Sequence, residues 1–121
     1  MWAVVAERDS ALRRLFARIL AKEGYAVTLC RSPTELRARV PRLAKPLVIC
    51  DVDLERSRDG LHACLDLDKA GALGRVVLTS ALALGETSEW GWPVLPKPFS
   101  LTELSRLLRP AGAFETWEPG S

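Results

Sequence analysis

Two rhythms of apolar residues run along this chain. Short apolar stretches read as buried strands: WAVVA from Trp2, YAVTLC from Tyr25, LVICDVD from Leu47, RVVLTS from Arg75, and a brief run from Pro93 to Pro96. Between them the apolar positions recur at helical spacing. Leu12, Leu15, Phe16, Ile19 and Leu20 predict a helix over residues 11–23, capped by Ser10 and ended by Gly24. Ser32-Pro33-Thr34-Glu35 is a capping box with proline at the first helical position, so a second helix starts there and stops near Pro41. Gly60 opens a third, with Leu61, Cys64, Leu65 and Leu67 facing inward and Gly71 and Gly74 ending it. The segment ALALGETSEWGW has room for only about two helical turns, so a stunted helix or a loop is expected there. Ser100 to Glu103 form a second capping box, which opens a last helix to about Arg109. Strand signals alternating with helix signals predict an α/β domain, a doubly wound parallel sheet covered on both faces by right-handed crossovers.

Composition narrows the class. A chain of 121 residues has room for one domain, read here as residues 1–110, with 111–121 as a C-terminal tail or linker. Its 48% hydrophobic and 26% charged residues are those of an ordinary globular protein, and a net charge of +2 argues for neither nucleic acid nor a membrane surface. Basic residues gather between Arg8 and Lys45, either on solvated helix faces or as a docking patch for an acidic partner. With no membrane-length apolar run and no signal-peptide pattern, a cytoplasmic location is expected. Cys30, Cys50 and Cys64 are an odd number without a CxxC, and read as small buried hydrophobes.

The chemistry gathers at the strand ends. The third strand delivers Asp51 to the carboxyl edge of the sheet, where ligands bind in open α/β folds. Glu7, Arg8 and Asp9 follow the first strand, Asp53 the third, Thr79 and Ser80 end the fourth, and Lys97 follows the fifth, so all converge on one edge. A carboxylate beside acids, a hydroxyl and an ammonium suits a phosphoryl group. The carboxylate attacks, an oxygen-liganded divalent ion screens the incoming charge, and the hydroxyl and ammonium bind the product oxygens.

VVAERDSALRR, LVICDVDL followed by RDGL, VVLTSA and LPKPFSLTEL, in that order, resemble a response-regulator receiver domain, the phosphoacceptor half of two-component signalling. The resemblance spans about residues 2–110 and implies a flavodoxin-like fold with five parallel strands in the order 2-1-3-4-5. It places Asp51 at the phosphoacceptor position, Thr79, Ser80 and Lys97 against the phosphate or in its switch, and Glu7 and Asp51 as metal ligands. It also implies a cis peptide between Lys97 and Pro98. The module so implied is a signalling protein rather than an enzyme, without catalytic residues, a monomer or weak dimer whose partner is a histidine kinase or a downstream effector. No cofactor beyond a magnesium ion is implied.

The chain departs from that pattern at several places. Arg8 occupies the position of the principal metal-binding aspartate, and a guanidinium has five donors and no acceptor, so it cannot ligate magnesium. Arg8 is therefore expected to replace the metal by pairing with Asp51 or Glu7, the alternative being an arginine in solvent; Asp9 is a candidate substitute ligand. The loop after Asp51 is one residue longer than is typical, with Glu55 where proline is usual, and the interval from Thr79 to Lys97 is about four residues short. Val94 replaces the aromatic switch residue. Trp90 and Trp92 either fill the gap left by a shortened fourth helix or form an exposed patch, and His62 is assigned no role. These departures imply a degenerate, pseudo-receiver module that acts through protein contacts, with a conventional receiver phosphorylated on Asp51 as the alternative. A remoter one, from the DxD of Asp51 and Asp53, is a haloacid dehalogenase-type phosphatase. Against it, the DxD lies on the third strand signal and no acidic pair follows Lys97.

Overall fold

The structure, a computed structural model, describes residues 1–81 and 91–108. Five parallel strands, β1 (Trp2–Ala6), β2 (Ala26–Cys30), β3 (Leu47–Asp51), β4 (Val76–Ser80) and β5 (Val94–Pro96), form one sheet in the order β2-β1-β3-β4-β5. The helices among the described residues are α1 (Ser10–Lys22), α2 (Pro33–Arg39), α3 (Asp59–Lys69) and α4 (Leu101–Leu108). This is the flavodoxin-like arrangement expected from the sequence. The stunted segment after β4 and the C-terminal tail fall on residues 82–90 and 109–121, outside the described residues. No helix among the described residues is long and apolar enough to cross a membrane.

The central strand β3 is buried along its whole length. Alternation along it feeds two cores. Val48 and Cys50 join Val4, Leu36, Leu61 and Cys64 on the side of α2 and α3, whereas Leu47 and Ile49 join Val5, Phe16, Leu20 and Leu104 on the side of α1 and α4. The three cysteines are free and buried, as expected of small apolar residues. On α3 the inward positions are Leu61, Ala63, Cys64 and Leu67; Leu65 is only partly covered.

Helix ends follow the sequence signals with one correction. Asp9, not Ser10, caps α1: its carboxylate accepts the N–H groups of Ala11 and Leu12 at 2.9 and 3.2 Å. A charged acceptor reaching two unsatisfied donors at the positive end of the helix dipole outcompetes a neutral hydroxyl one residue later. That engagement commits Asp9 Oδ1 to the helix N-terminus. Ser32 caps α2 through the Glu35 N–H, Pro33 opens it, and a single 3-10 turn, Val40–Arg42, follows with Pro41 at its middle. Ser100 accepts the Glu103 N–H at the start of α4.

The junction of β3 and α3 sets the geometry of the carboxyl edge. Gly60 donates its N–H to the Val52 carbonyl at 3.0 Å, and a Cβ added there would lie 2.0 Å from the Asp51 carbonyl oxygen. The helix can approach the strand this closely only without a side chain. Gly60→Ala should therefore lower stability by about 1–3 kcal/mol, the usual range for overpacking, read as a lower urea midpoint. An unchanged midpoint would mean that the loop absorbs the methyl group.

Candidate functional site

Glu7, Asp51, Thr79 and Lys97 continue the alternation of Val5, Ile49, Val77 and Leu95, so one face of the sheet carries all four to its carboxyl edge. Asp51 and Thr79 are register partners on β3 and β4. Ser80, one residue on, is also buried, but alternation turns it to the opposite face.

Lys97 holds the centre. Its Nζ donates to Glu7 Oε1 at 2.7 Å and to Asp51 Oδ2 at 2.9 Å. The segment after β5 fixes that ammonium: the Lys97 N–H donates to the Ser80 carbonyl at 2.8 Å, the Lys97–Pro98 peptide is cis, and the Phe99 ring lies 5.6 Å from that of Phe16 on α1. The remaining carboxylate oxygens are engaged as well. Glu7 Oε2 accepts the Asp9 N–H at 3.0 Å, and Asp51 Oδ1 accepts the Asp53 N–H at 3.1 Å.

The carboxylates are nearly out of water, Glu7 with 1% and Asp51 with 6% of its side chain exposed. Unpaired, each would cost several kcal/mol. Burial is the largest influence on Asp51 and pushes its carboxyl above the ordinary carboxylate range; the Lys97 hydrogen bond opposes that shift and the charge of Glu7 adds to it. For Lys97, burial works against the charge, but the bonds to Glu7 and Asp51 outweigh it and raise its pKa. The Thr79 hydroxyl is fully buried and, among the described residues, has no hydrogen-bond partner. An orphaned buried hydroxyl costs about 1–3 kcal/mol, so this one is available to an oxygen that arrives from outside.

The loop from β3 to α3 is tied by Asp53 and by Asp59, an acid to which the sequence pattern assigned no role. Asp53 accepts the Arg58 N–H at 2.6 Å, while Asp59 accepts that of Leu54 at 2.7 Å and those of Glu55 and Arg56, each at 2.9 Å. Burial opposes the charge of Asp59, yet these N–H bonds prevail and hold its carboxyl below the usual range. An acid opening a helix after a polar loop was the available signal. Asp53, the general acid of the phosphatase alternative, is thus occupied in the loop.

Arg8 does not enter the pocket. Its side chain is exposed, and among the described residues it forms no ion pair; Lys97 makes the contacts expected of it. The physical reason is that a second cation beside the ammonium would pay desolvation and like-charge repulsion, while both carboxylates already have a partner. Its turn is held instead through the backbone, where Arg13 Nη1 donates to the Glu7 carbonyl at 2.6 Å.

A magnesium ion requires near-octahedral oxygen ligands at about 2.0–2.1 Å. The pocket does not fit that demand: it offers two carboxylates, both bound to Lys97, and the next residue along is an arginine. Among the described residues no group of three or more His, Cys, Asp or Glu side chains is placed to hold a metal. Val94 is buried at the start of β5, Trp92 is half-buried against the core on the α2 and α3 side, and Trp90 lies outside the described residues. His62 is exposed.

Comparison with known proteins agrees with this fold. A family model described as the response regulator receiver domain matches residues 3–109. No curated protein matches. Among solved structures, a receiver domain protein from Bacillus halodurans is 23% identical with a TM-score of 0.70, over 89% of this chain and 93% of the other. TrrA from Thermotoga maritima, solved in complex with Mg²⁺-BeF, is 21% identical with a TM-score of 0.74, over 88% and 95%. NtrX from Brucella abortus is 27% identical with a TM-score of 0.74, over 88% of this chain and 25% of that one.

The ionic cluster makes the stability pH-dependent in two windows. Folded Asp51 binds its proton more tightly than the unfolded chain does, so its charge costs stability increasingly as pH rises from the unfolded value of 3.8 through the raised folded one. Asp51→Asn, which leaves Lys97 on Glu7, should be more stable than wild type in urea at pH 7, by a margin that shrinks toward pH 4. Equal stability at pH 7 would mean that Lys97 fully compensates the charge. Lys97 contributes its full share below its unfolded value of 10.5 and loses it as pH rises through the higher folded one. Lys97→Met should cost about 3 kcal/mol at pH 7 by stranding two buried carboxylates, and should flatten the alkaline decline.

Proposed function

We propose a function from one premise: this chain belongs to the response regulator receiver domain family. It is a receiver module of two-component signalling, a class that works through contacts with kinases or effector domains. Our finer reading is that it is a pseudo-receiver, signalling by protein contacts with impaired magnesium-dependent phosphorylation of Asp51. The observation that carries this is the Lys97 ammonium on both Glu7 and Asp51, with Arg8 exposed at the position where the family places its principal metal-binding acid. Val94 at the place of the aromatic switch residue and the short interval from Thr79 to Lys97 support it. The face formed by β5 and α4 is the output surface of this reading, with a histidine kinase or a downstream effector as partner.

The unpartnered Thr79 hydroxyl favours a second reading, a conventional receiver phosphorylated on Asp51. Intact-mass measurement after treatment with a small-molecule phosphodonor and magnesium separates the two. The pseudo-receiver reading expects no acid-labile phosphate on the wild-type chain. It also expects that Arg8→Asp binds magnesium in calorimetry and acquires that phosphate on Asp51. Stoichiometric phosphate on the wild-type chain establishes the conventional reading instead.

A further inference from the structure

The opposite, amino-terminal edge of the sheet carries a groove of about 370 Å³ lined by Met1, Trp2, Tyr25, Lys45, Leu47 and Arg75 among others. Of the three exposed large apolar side chains among the described residues, two, Met1 and Trp2, border it, with 67% and 45% exposure. Its floor is built rather than loose. The Ala26 N–H donates to the Met1 carbonyl at 2.8 Å, that of Gly74 to Pro46 at 2.9 Å and that of Val48 to Arg75 at 2.8 Å. Where the chain passes Gly74, an added Cβ would lie 2.4 Å from the Lys45 carbonyl oxygen. Apolar surface held open to water in this way gains from a cover.

The last turn of α4 is stitched to the wall of this groove, because Arg75 Nη2 donates to the Leu107 carbonyl at 2.7 Å. The chain that continues from α4 therefore starts at the groove's lip. It reads RPAGAFETWEPGS from Arg109, with Phe114 and Trp117 its only aromatic residues and Glu115 and Glu118 beside them. The six steps from Leu108 to Phe114 can span about 20 Å when extended, enough to turn back from the lip into the groove. At the rim Lys45 is exposed and, among the described residues, forms no ion pair, so the charges are complementary. We propose that this groove seats residues 114–118 of the chain itself, FETWE, with an aromatic ring against Trp2, Tyr25 and Leu47 and a glutamate beside Lys45. The sheet then carries its ionic cluster at one edge and a covered apolar seat for its own C-terminal segment at the other.

A nitroxide on Ser121→Cys in the full chain tests this, since the native cysteines are buried and an exposed thiol reacts first. Amide signals of Trp2, Tyr25, Leu47 and Gly74 should lose intensity while those of Asp53 and Lys97 keep it. The loss should persist when labelled protein is diluted into excess unlabelled protein, and should disappear in the Phe114→Ser, Trp117→Ser double variant. Broadening that vanishes on dilution assigns the groove to a second copy and overturns the proposal. So does broadening spread evenly over the surface, centred elsewhere, or indifferent to loss of the two aromatics.

Discussion

One ammonium shared by two buried carboxylates governs the carboxyl edge of this sheet. Glu7 directly follows β1, Asp51 ends β3 and Lys97 directly follows β5, so the contacts at 2.7 and 2.9 Å join the ends of three strands at one point. Neither acid could stay charged at this depth alone, and Lys97 would not lie here without them. The surrounding backbone is arranged to keep the triad in register. The Asp9 N–H orients Glu7, that of Asp53 orients Asp51, and the Phe99 ring against Phe16 anchors the loop that delivers Lys97.

The acids outside the triad have structural work that keeps them from joining it. Asp9 caps α1, while Asp53 and Asp59 hold the loop between β3 and α3 through four backbone N–H groups. The carboxyl edge is rich in acids by sequence, yet only two of them face one another. A loop bound this closely, and pressed against Asp51 by a glycine with no room for a methyl group, leaves little freedom for another acid to swing inward.

Much of the fold was legible because local and global signals agree. The apolar runs, the capping serines Ser32 and Ser100, and Gly24 with its positive φ mark the elements where the structure has them. Four of the site residues, Glu7, Asp51, Thr79 and Lys97, could be grouped because strand ends in a parallel sheet share an edge. What remained hidden were choices between neighbouring side chains. Whether Asp9 or Ser10 caps a helix, and whether Arg8 or Lys97 takes a carboxylate, depends on small differences in reach and repulsion among residues that sequence alone places equally near. Charge alone favours Arg8 in the pocket; that Lys97 already partners both carboxylates is what keeps it out.

That count bears on what the pocket can do. Two carboxylates and one ammonium leave a single residual negative charge, whereas a third acid in place of Arg8 would leave two, the charge that a divalent ion neutralises. With an arginine there instead, the attraction for such an ion falls, and the positive field of the guanidinium at the rim opposes its approach even from solvent. The same arithmetic explains why Asp51 still carries a raised pKa: Lys97 divides its attraction between two acids, and burial claims more than the share that Asp51 receives. On the pseudo-receiver reading, the pocket thus holds together through Lys97 without requiring an ion.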